Sequence, residues 1–254
     1  MSNRLADTVA LVTGASSGIG AATARSLAAE GATVALLARR RDRLDALADA
    51  IAADGGTAIG VQADITDRQQ AADAVDRVVA ELGRLDTVVN NAGLMLIGPV
   101  ADAPPEEWDQ MLRVNVEGLL HVTGAALPHL LRAAQDAPRQ VADIVNISST
   151  AGRVARPGTA VYNLTKFGVT GFTEALRQEV MQKHVRVSIV EPGTVDTELS
   201  THVRDGLRQA IEQQVKDLDL LRPEDIADAV TYVVTRDRRV AVNEILVRAS
   251  DQTW

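Results

Sequence analysis

Thr13-Gly14-Ala15-Ser16-Ser17-Gly18-Ile19-Gly20 is the stretch that decides how this chain folds. It follows the short apolar run Val9–Thr13 and leads into Ile19–Glu30, a segment of helical period. Glycines let the backbone turn tightly there and let it approach a ligand closely. A helix that begins at such a turn aims unpaired N–H groups and the positive end of its dipole outward, which suits a pyrophosphate. Ser16 and Ser17 add hydroxyls at the same point. Glycines mark turns of many kinds, so the placement between strand and helix carries the reading, not the glycines alone.

Working outward, the same alternation repeats along the chain. Short apolar runs predict strands near Val9–Thr13, Thr33–Ala38, Ala58–Ala63, Thr87–Asn90, Ile144–Ile147, Val185–Val190 and Ile245–Val247. Helical periodicity predicts helices near Ile19–Glu30, Asp42–Ala53, Arg68–Leu82, Pro105–Ala134, Ala160–Lys183 and Pro223–Thr235. Repeated strand-helix-strand units imply an α/β fold: one doubly wound Rossmann domain over residues 1–254, with a mostly parallel seven-stranded sheet and helices on both faces. The polar stretch Ala134–Val141 is expected to be a loop between a helix and a strand. Residues 194–221 form a long connection after the sixth strand, at a strand's carboxyl end where ligands bind, and are expected to be a lid over substrate. An ordinary surface helix pair is the alternative.

Composition narrows the function classes. A net charge of −8 argues against nucleic acid or an anionic membrane as a general partner. The chain has no cysteine, so thiolate chemistry, thiolate metal sites and disulfides are excluded together. Its four histidines are scattered and none has ligand spacing, so no metal is expected. Met1–Ala6 is polar and charged and no apolar run is long enough to span a membrane, so a cytoplasmic setting is expected. With aromatic residues at only 2%, the core must be filled by Ala, Val, Leu and Ile.

Two further clusters speak to chemistry. The second strand ends Ala38-Arg39-Arg40-Arg41-Asp42-Arg43. A dinucleotide fold that uses NAD places a carboxylate about there, on the ribose 2′-OH. Ala38 stands at that position and Arg39 follows, and a guanidinium pairs well with a 2′-phosphate, so NADP(H) is expected. Arg39 leads and Arg40 helps; Arg41 and Arg43 read better as a solvated helix start. The second cluster is Tyr162-Asn163-Leu164-Thr165-Lys166. Positions i and i+4 share a helix face, so Lys166 is expected beside Tyr162. A free phenol ionises near pH ~10 and is a poor base at neutrality; a nearby ammonium would lower that value.

The TGxxxGxG spacing of the turn, Asn90-Asn91-Ala92-Gly93 at the end of the fourth strand and the YxxxK unit, in this order, resemble the short-chain dehydrogenase/reductase family. The resemblance spans roughly residues 5 to 250. It implies a cofactor cleft formed by Gly14, Ser16, Ser17, Gly18, Ile19, Gly20, Arg39, Arg40, Asp64, Ile65, Asn91, Ala92, Gly93, Tyr162, Lys166, Pro192, Gly193, Thr194, Val195 and Thr197. In it, Asp64 lies near the adenine, or else serves as a helix cap along with Thr66 or Asp67. The small residues of Asn91-Ala92-Gly93 let the backbone pass the cofactor, with Asn tolerating the backbone angles this needs. Backbone near Thr194 or Val195, with the Thr197 hydroxyl, anchors the nicotinamide carboxamide.

The resemblance also implies four catalytic residues, Asn115, Ser149, Tyr162 and Lys166. The family serine lies 13 residues before the tyrosine, which selects Ser149 over Ser148. Asn115 would hold a water linking Lys166 to solvent; the alternative is that it satisfies buried backbone, and the two roles can coexist. The expected activity is reduction of an aldehyde or ketone by NADPH.

Departures from the pattern and local likenesses refine this. The end Val242-Asn243-Glu244-Ile245-Leu246-Val247-Arg248 departs from the glycine-rich ending of fatty-acid ketoreductases. Asn91–Pro99, Ala126–Leu130 and Glu191–Leu199 are similar to the branch of clavulanate dehydrogenase and NADP-dependent 3-hydroxy-acid dehydrogenases. Oxidation of a 3-hydroxy acid is the second reading. It would want a cation in the pocket, and Arg153, Arg156 and Arg204 lie in segments that could border it. A third reading, of another class, is an NADP(H)-sensing binding protein; the presence of all four catalytic residues argues against it. Members of the family are usually homotetramers or dimers.

Overall fold

The computed structural model describes residues 3–136, 138–216 and 218–253. Ala137 of the expected polar loop, Asp217 of the expected lid and the extreme termini lie outside the described residues.

Seven strands are joined in the order β3-β2-β1-β4-β5-β6-β7. They are β1 (Val9–Thr13), β2 (Thr33–Ala38), β3 (Thr57–Gln62), β4 (Thr87–Asn90), β5 (Ala142–Ile147), β6 (Val185–Pro192) and β7 (Glu244–Val247). Every pairing is parallel, so the expected mostly parallel sheet is wholly parallel. β1, β4, β5 and β6 are buried along their whole length, which explains why they read as continuous apolar runs rather than alternating ones. The strands match the sequence reading within two residues at each end.

Helices cover both faces. α1 (Gly18–Ala29), α2 (Arg41–Ala53) and α8 (Pro223–Val234) pack a core around Leu27, Leu44, Ile226 and Val230 on one side. α3 (Arg68–Leu82), α5 (Leu119–Asp136) and α6 (Ala160–Val180) pack one around Val75, Val122, Leu130 and Leu176 on the other. The expected single helix over Pro105–Ala134 is α4 (Pro105–Leu112), a π-helical turn at Arg113–Gly118, and α5 in unbroken succession. Sequence periodicity does not register one extra residue in a turn.

A buried polar ladder fixes the helices on the sheet. Asn90 Nδ2 of β4 donates to Thr123 Oγ1 of α5 (2.9 Å) and Asn146 Oδ1 of β5 (2.8 Å). Asn146 Nδ2 donates to Thr173 Oγ1 of α6 (2.9 Å). Paired in this way, buried amides locate α5 and α6 against β4 and β5 more specifically than apolar contact would.

The connection from β6 to α8 holds a 3-10 turn at Glu198–His202 and α7 (Asp205–Val215). Its two ends are joined to each other: Leu221 N donates to Thr194 O (3.2 Å) and Asp196 N to Leu221 O (2.8 Å). The segment thus leaves and returns through a closed neck.

Candidate active site

At the carboxyl ends of the strands lies a cleft of about 870 Å³. The strand order reverses between β1 and β4, the point at which such sheets bind ligands. Thr13, the last residue of β1, stitches that point together: its Oγ1 accepts from Asn91 N and Ala92 N, both at 3.0 Å. Asn91 Nδ2 donates to Thr13 O at 2.9 Å. Among the described residues, positive φ outside glycine occurs only at Asp7, Gln140 and His184. The expectation that Asn at this bend serves an unusual backbone angle is therefore wrong; Asn91 is there for its amide.

Gly14 and Gly20 are required by space. Gly14 has φ +66°, and a Cβ there would meet Ala92 Cα at 2.8 Å. A Cβ at Gly20 would meet Gly14 O at 2.4 Å. Ser17 is the N-cap of α1 and makes no side-chain cap bond, so the helix terminus faces the cleft with its own N–H groups. Every residue expected at the cofactor lines this cleft except Gly20, which supports the turn from behind. Asp64 Oδ1 accepts from Thr66 N (3.0 Å) and Oγ1 (2.8 Å), while Asp67 is the N-cap of α3.

The two arginines expected at the cofactor both line the cleft, in different ways. Arg40 turns inward: Nη2 donates to Ser16 Oγ (2.8 Å) and Ser17 Oγ (2.9 Å), and Nη1 to Glu198 Oε2 (3.0 Å). Arg39 is exposed at the cleft edge, and its side chain has no partner among the described residues. Arg41 pairs with Asp45 as a surface residue would. Arg43 is solvated at the start of α2, as expected, and its Nη1 also donates to Glu198 Oε1 at 2.6 Å.

Ser149, Tyr162 and Lys166 come together at the other end of the cleft. Ser149 caps the 3-10 turn Thr150–Gly152 that follows β5, accepting from Ala151 N at 3.1 Å. Ser148 instead donates to Lys166 O from a buried position, which favours Ser149 as the cleft hydroxyl. Tyr162 and Lys166 stand on the first turns of α6, each only 6% exposed. Burial pushes the Tyr162 phenol up to about 12, against a hydrogen bond with Ser149 that pulls it down. Burial also pushes Lys166 down to about 8. Lys166 Nζ donates to Ile147 O at 3.0 Å and lies 5.8 Å from the centre of the Tyr162 ring. Desolvation thus dominates at the phenol, and the lowering comes from Ser149 rather than from the ammonium as expected.

Asn115 sits in the π-helical turn, buried, with its amide fully used. Oδ1 accepts from Leu94 N (2.7 Å), and Nδ2 donates to Leu94 O (2.8 Å) and Thr165 Oγ1 (3.2 Å). The side chain satisfies backbone, the second of the two roles expected for it.

Of the candidate carboxylate binders, Arg153 is committed to the buried Glu191 (2.5 Å) and to Glu244. Arg204 lies 3.2 Å from Glu107 and donates to Asp102 O (3.1 Å). Arg156 lines the cleft, and its guanidinium has no partner among the described residues.

Three residues escape sequence reasoning: Arg43, Glu198 and Gln252. Gln252 Oε1 accepts from Thr194 N at 3.0 Å, so the backbone expected to bind a carboxamide is held by one from the chain itself. Among the described residues no group of three or more His, Cys, Asp or Glu could hold a metal, and no helix is long and apolar enough to cross a membrane.

The sequence profile described as short chain dehydrogenase matches residues 8–208. An uncharacterized oxidoreductase of Staphylococcus saprophyticus is 35% identical, with 99% of each chain aligned. Among solved structures, the closed form of a serine dehydrogenase complexed with NADP+ has a TM-score of 0.89 at 32% identity, over 97% of both chains. A 3-ketoacyl-(acyl-carrier-protein) reductase from Brucella melitensis, complexed with NADH, has a TM-score of 0.85 at 31% identity, over 97% of this chain and 98% of that one.

Proposed function

The chain belongs to the short-chain dehydrogenase/reductase family, and on that premise we propose that it is an NADP(H)-dependent oxidoreductase interconverting a carbonyl and an alcohol on a small substrate. The observation that carries this is one cleft lined at one end by the glycine turn with Arg39 and Arg40, and at the other by Ser149, Tyr162 and Lys166. Neighbours on this fold hold either nicotinamide cofactor, so the choice rests on the residues. Ala38 stands where an NAD enzyme would place a carboxylate, with Arg39 and Arg40 directly after it, and this supports NADP(H).

The residues fit that group. The glycine cradle has no room for Cβ atoms, and the α1 terminus presents free N–H groups to a pyrophosphate. Ser16 and Ser17 accept from Arg40, leaving their hydroxyl hydrogens to donate. When bound, the dinucleotide supplies or accepts the hydride. Tyr162 then donates its proton to the substrate oxygen in reduction and takes it back in oxidation. Ser149 hydrogen-bonds the same oxygen as charge develops. A phenol near 12 is suited to remain the acid at neutral pH; a cationic nicotinamide would act to lower it for the reverse direction. Lys166, anchored on Ile147 O, supports Tyr162 electrostatically, and Asn115 braces the turn beside it.

The reading includes one domain, a substrate lid at 194–221, a cytoplasmic setting and a homo-oligomer. Within it, an aldehyde or ketone is the leading substrate. The 3-hydroxy-acid reading gains from Arg156, the one candidate arginine left without a partner among the described residues. The test is nicotinamide absorbance with NADPH and NADH against aldehydes, ketones and 3-keto acids. Tyr162→Phe is expected to lower kcat by roughly 100- to 10,000-fold while NADPH still binds. Undiminished turnover in Tyr162→Phe, or faster turnover with NADH, would overturn the assignment.

A further inference from the structure

We propose that Glu198 sets cofactor specificity: it is an internal carboxylate on the arginines at the start of α2 that the 2′-phosphate of NADP(H) must displace. The inference rests on the NADP(H) reading above and goes beyond it. Glu198 lies on the 3-10 turn after β6, far along the chain from the arginines, and both its oxygens are engaged. Oε2 accepts from Arg40 Nη1 at 3.0 Å and Oε1 from Arg43 Nη1 at 2.6 Å. These bonds hold the Glu198 carboxyl down at about 2, so it is ionised at any physiological pH.

Arg40 has little left to offer a further acceptor. Nε and Nη2 go to the serines of the glycine turn, and Nη1 to Glu198. A phosphate on the adenosine ribose, where β2 ends, would meet a guanidinium that already carries a carboxylate. Two anions on one guanidinium repel each other, so one must leave. The pairs are open to exchange, since Arg40, Arg43 and Glu198 side chains are 41%, 43% and 43% exposed. Arg39, at the same edge and without a partner among the described residues, receives the phosphate first. Glu198 therefore weakens binding of the phosphorylated cofactor selectively, because only that cofactor competes for its site. It also ties the segment after β6 to the adenosine end of the cleft until the phosphate arrives.

The experiment is calorimetric titration of the full chain with 2′,5′-ADP and with 5′-AMP, which differ by the 2′-phosphate. Wild type, Glu198→Gln, Arg40→Gln and the double variant are compared, with circular dichroism confirming the fold. The preference for 2′,5′-ADP over 5′-AMP is expected to rise about three- to tenfold in Glu198→Gln, in keeping with two partly exposed charge pairs. The gain is expected to vanish on the Arg40→Gln background. A preference in wild type that Glu198→Gln leaves unchanged or lowers overturns the proposal and leaves the NADP(H) reading standing. No preference in wild type with a gain in Glu198→Gln supports the proposal and counts against that reading. No preference in either overturns both.

Discussion

Burial acts on Tyr162 and Lys166 in opposite senses, and pH separates them. Lys166 has a folded value of about 8 against an ordinary 10.5, so below pH 8 both folded and unfolded chains carry its proton and the cost of burying the ammonium is fully present. Between 8 and 10.5 the unfolded chain binds the proton and the folded one does not, so stability rises with pH. Tyr162 works the other way, but only from 10 to about 12. Lys166→Met is therefore expected to gain most over wild type near pH 7, with the gap narrowing by pH 10. The ionisation term is on the order of 3 kcal/mol, offset in part by the unpaired Ile147 carbonyl. Denaturant melts across that range check it, and a constant gap would contradict it. At Asn115, substitution by Leu is expected to cost about 2–5 kcal/mol, since Leu94 loses partners for both its N–H and C=O. At this scale the YxxxK unit was legible because both members lie on one helix. Glu198 was not, since its partner Arg43 is 155 residues away and no local pattern records the pair. The different settings of Arg39 and Arg40 were equally illegible: adjacent residues at a strand end face different ways, and only the fold decides which turns inward.

Elements carry the constraint at the switch point. α1 begins against Gly14 and Asn91, and Gly20→Ala would drive a methyl into Gly14 O or Asn91 Nδ2. The variant is expected to bind NADPH at least tenfold more weakly, because the turn and the helix terminus must separate. Titration by nucleotide fluorescence reads this, and unchanged affinity would show that the turn yields without loss. The loop bearing Ser149 is held by another pair of elements. Arg153 sits four residues beyond that serine and reaches Glu191 on β6, a carboxylate with no solvent exposure. Arg153→Ala strands that carboxylate, and is expected to destabilise the chain by about 3–5 kcal/mol, measurable as a lower denaturant midpoint. Strand positions were legible because burial on both faces leaves uninterrupted apolar runs. The π-helical turn was not, because it shifts helical phase by one residue inside a pattern that continues on both sides.

For the molecule as a whole, the doubly wound sheet follows from the alternation of elements, whereas its outer surface does not. Leu164 and Phe167 on α6 are 61% and 44% exposed, three residues apart on one helix face. A homo-oligomer is expected, and Leu164→Glu with Phe167→Glu is expected to shift light scattering to a smaller species; unchanged mass would place any interface elsewhere. The closed neck at Thr194 and Leu221 has a different consequence. With its ends pinned by backbone, the span between them closes its loop independently of its own contents, and doubling its length would cost only about 0.6 kcal/mol of closure entropy. Those residues are then an exchangeable cassette: selection, or an engineer grafting a segment from a relative, can rewrite what the cleft admits without re-solving how the sheet folds.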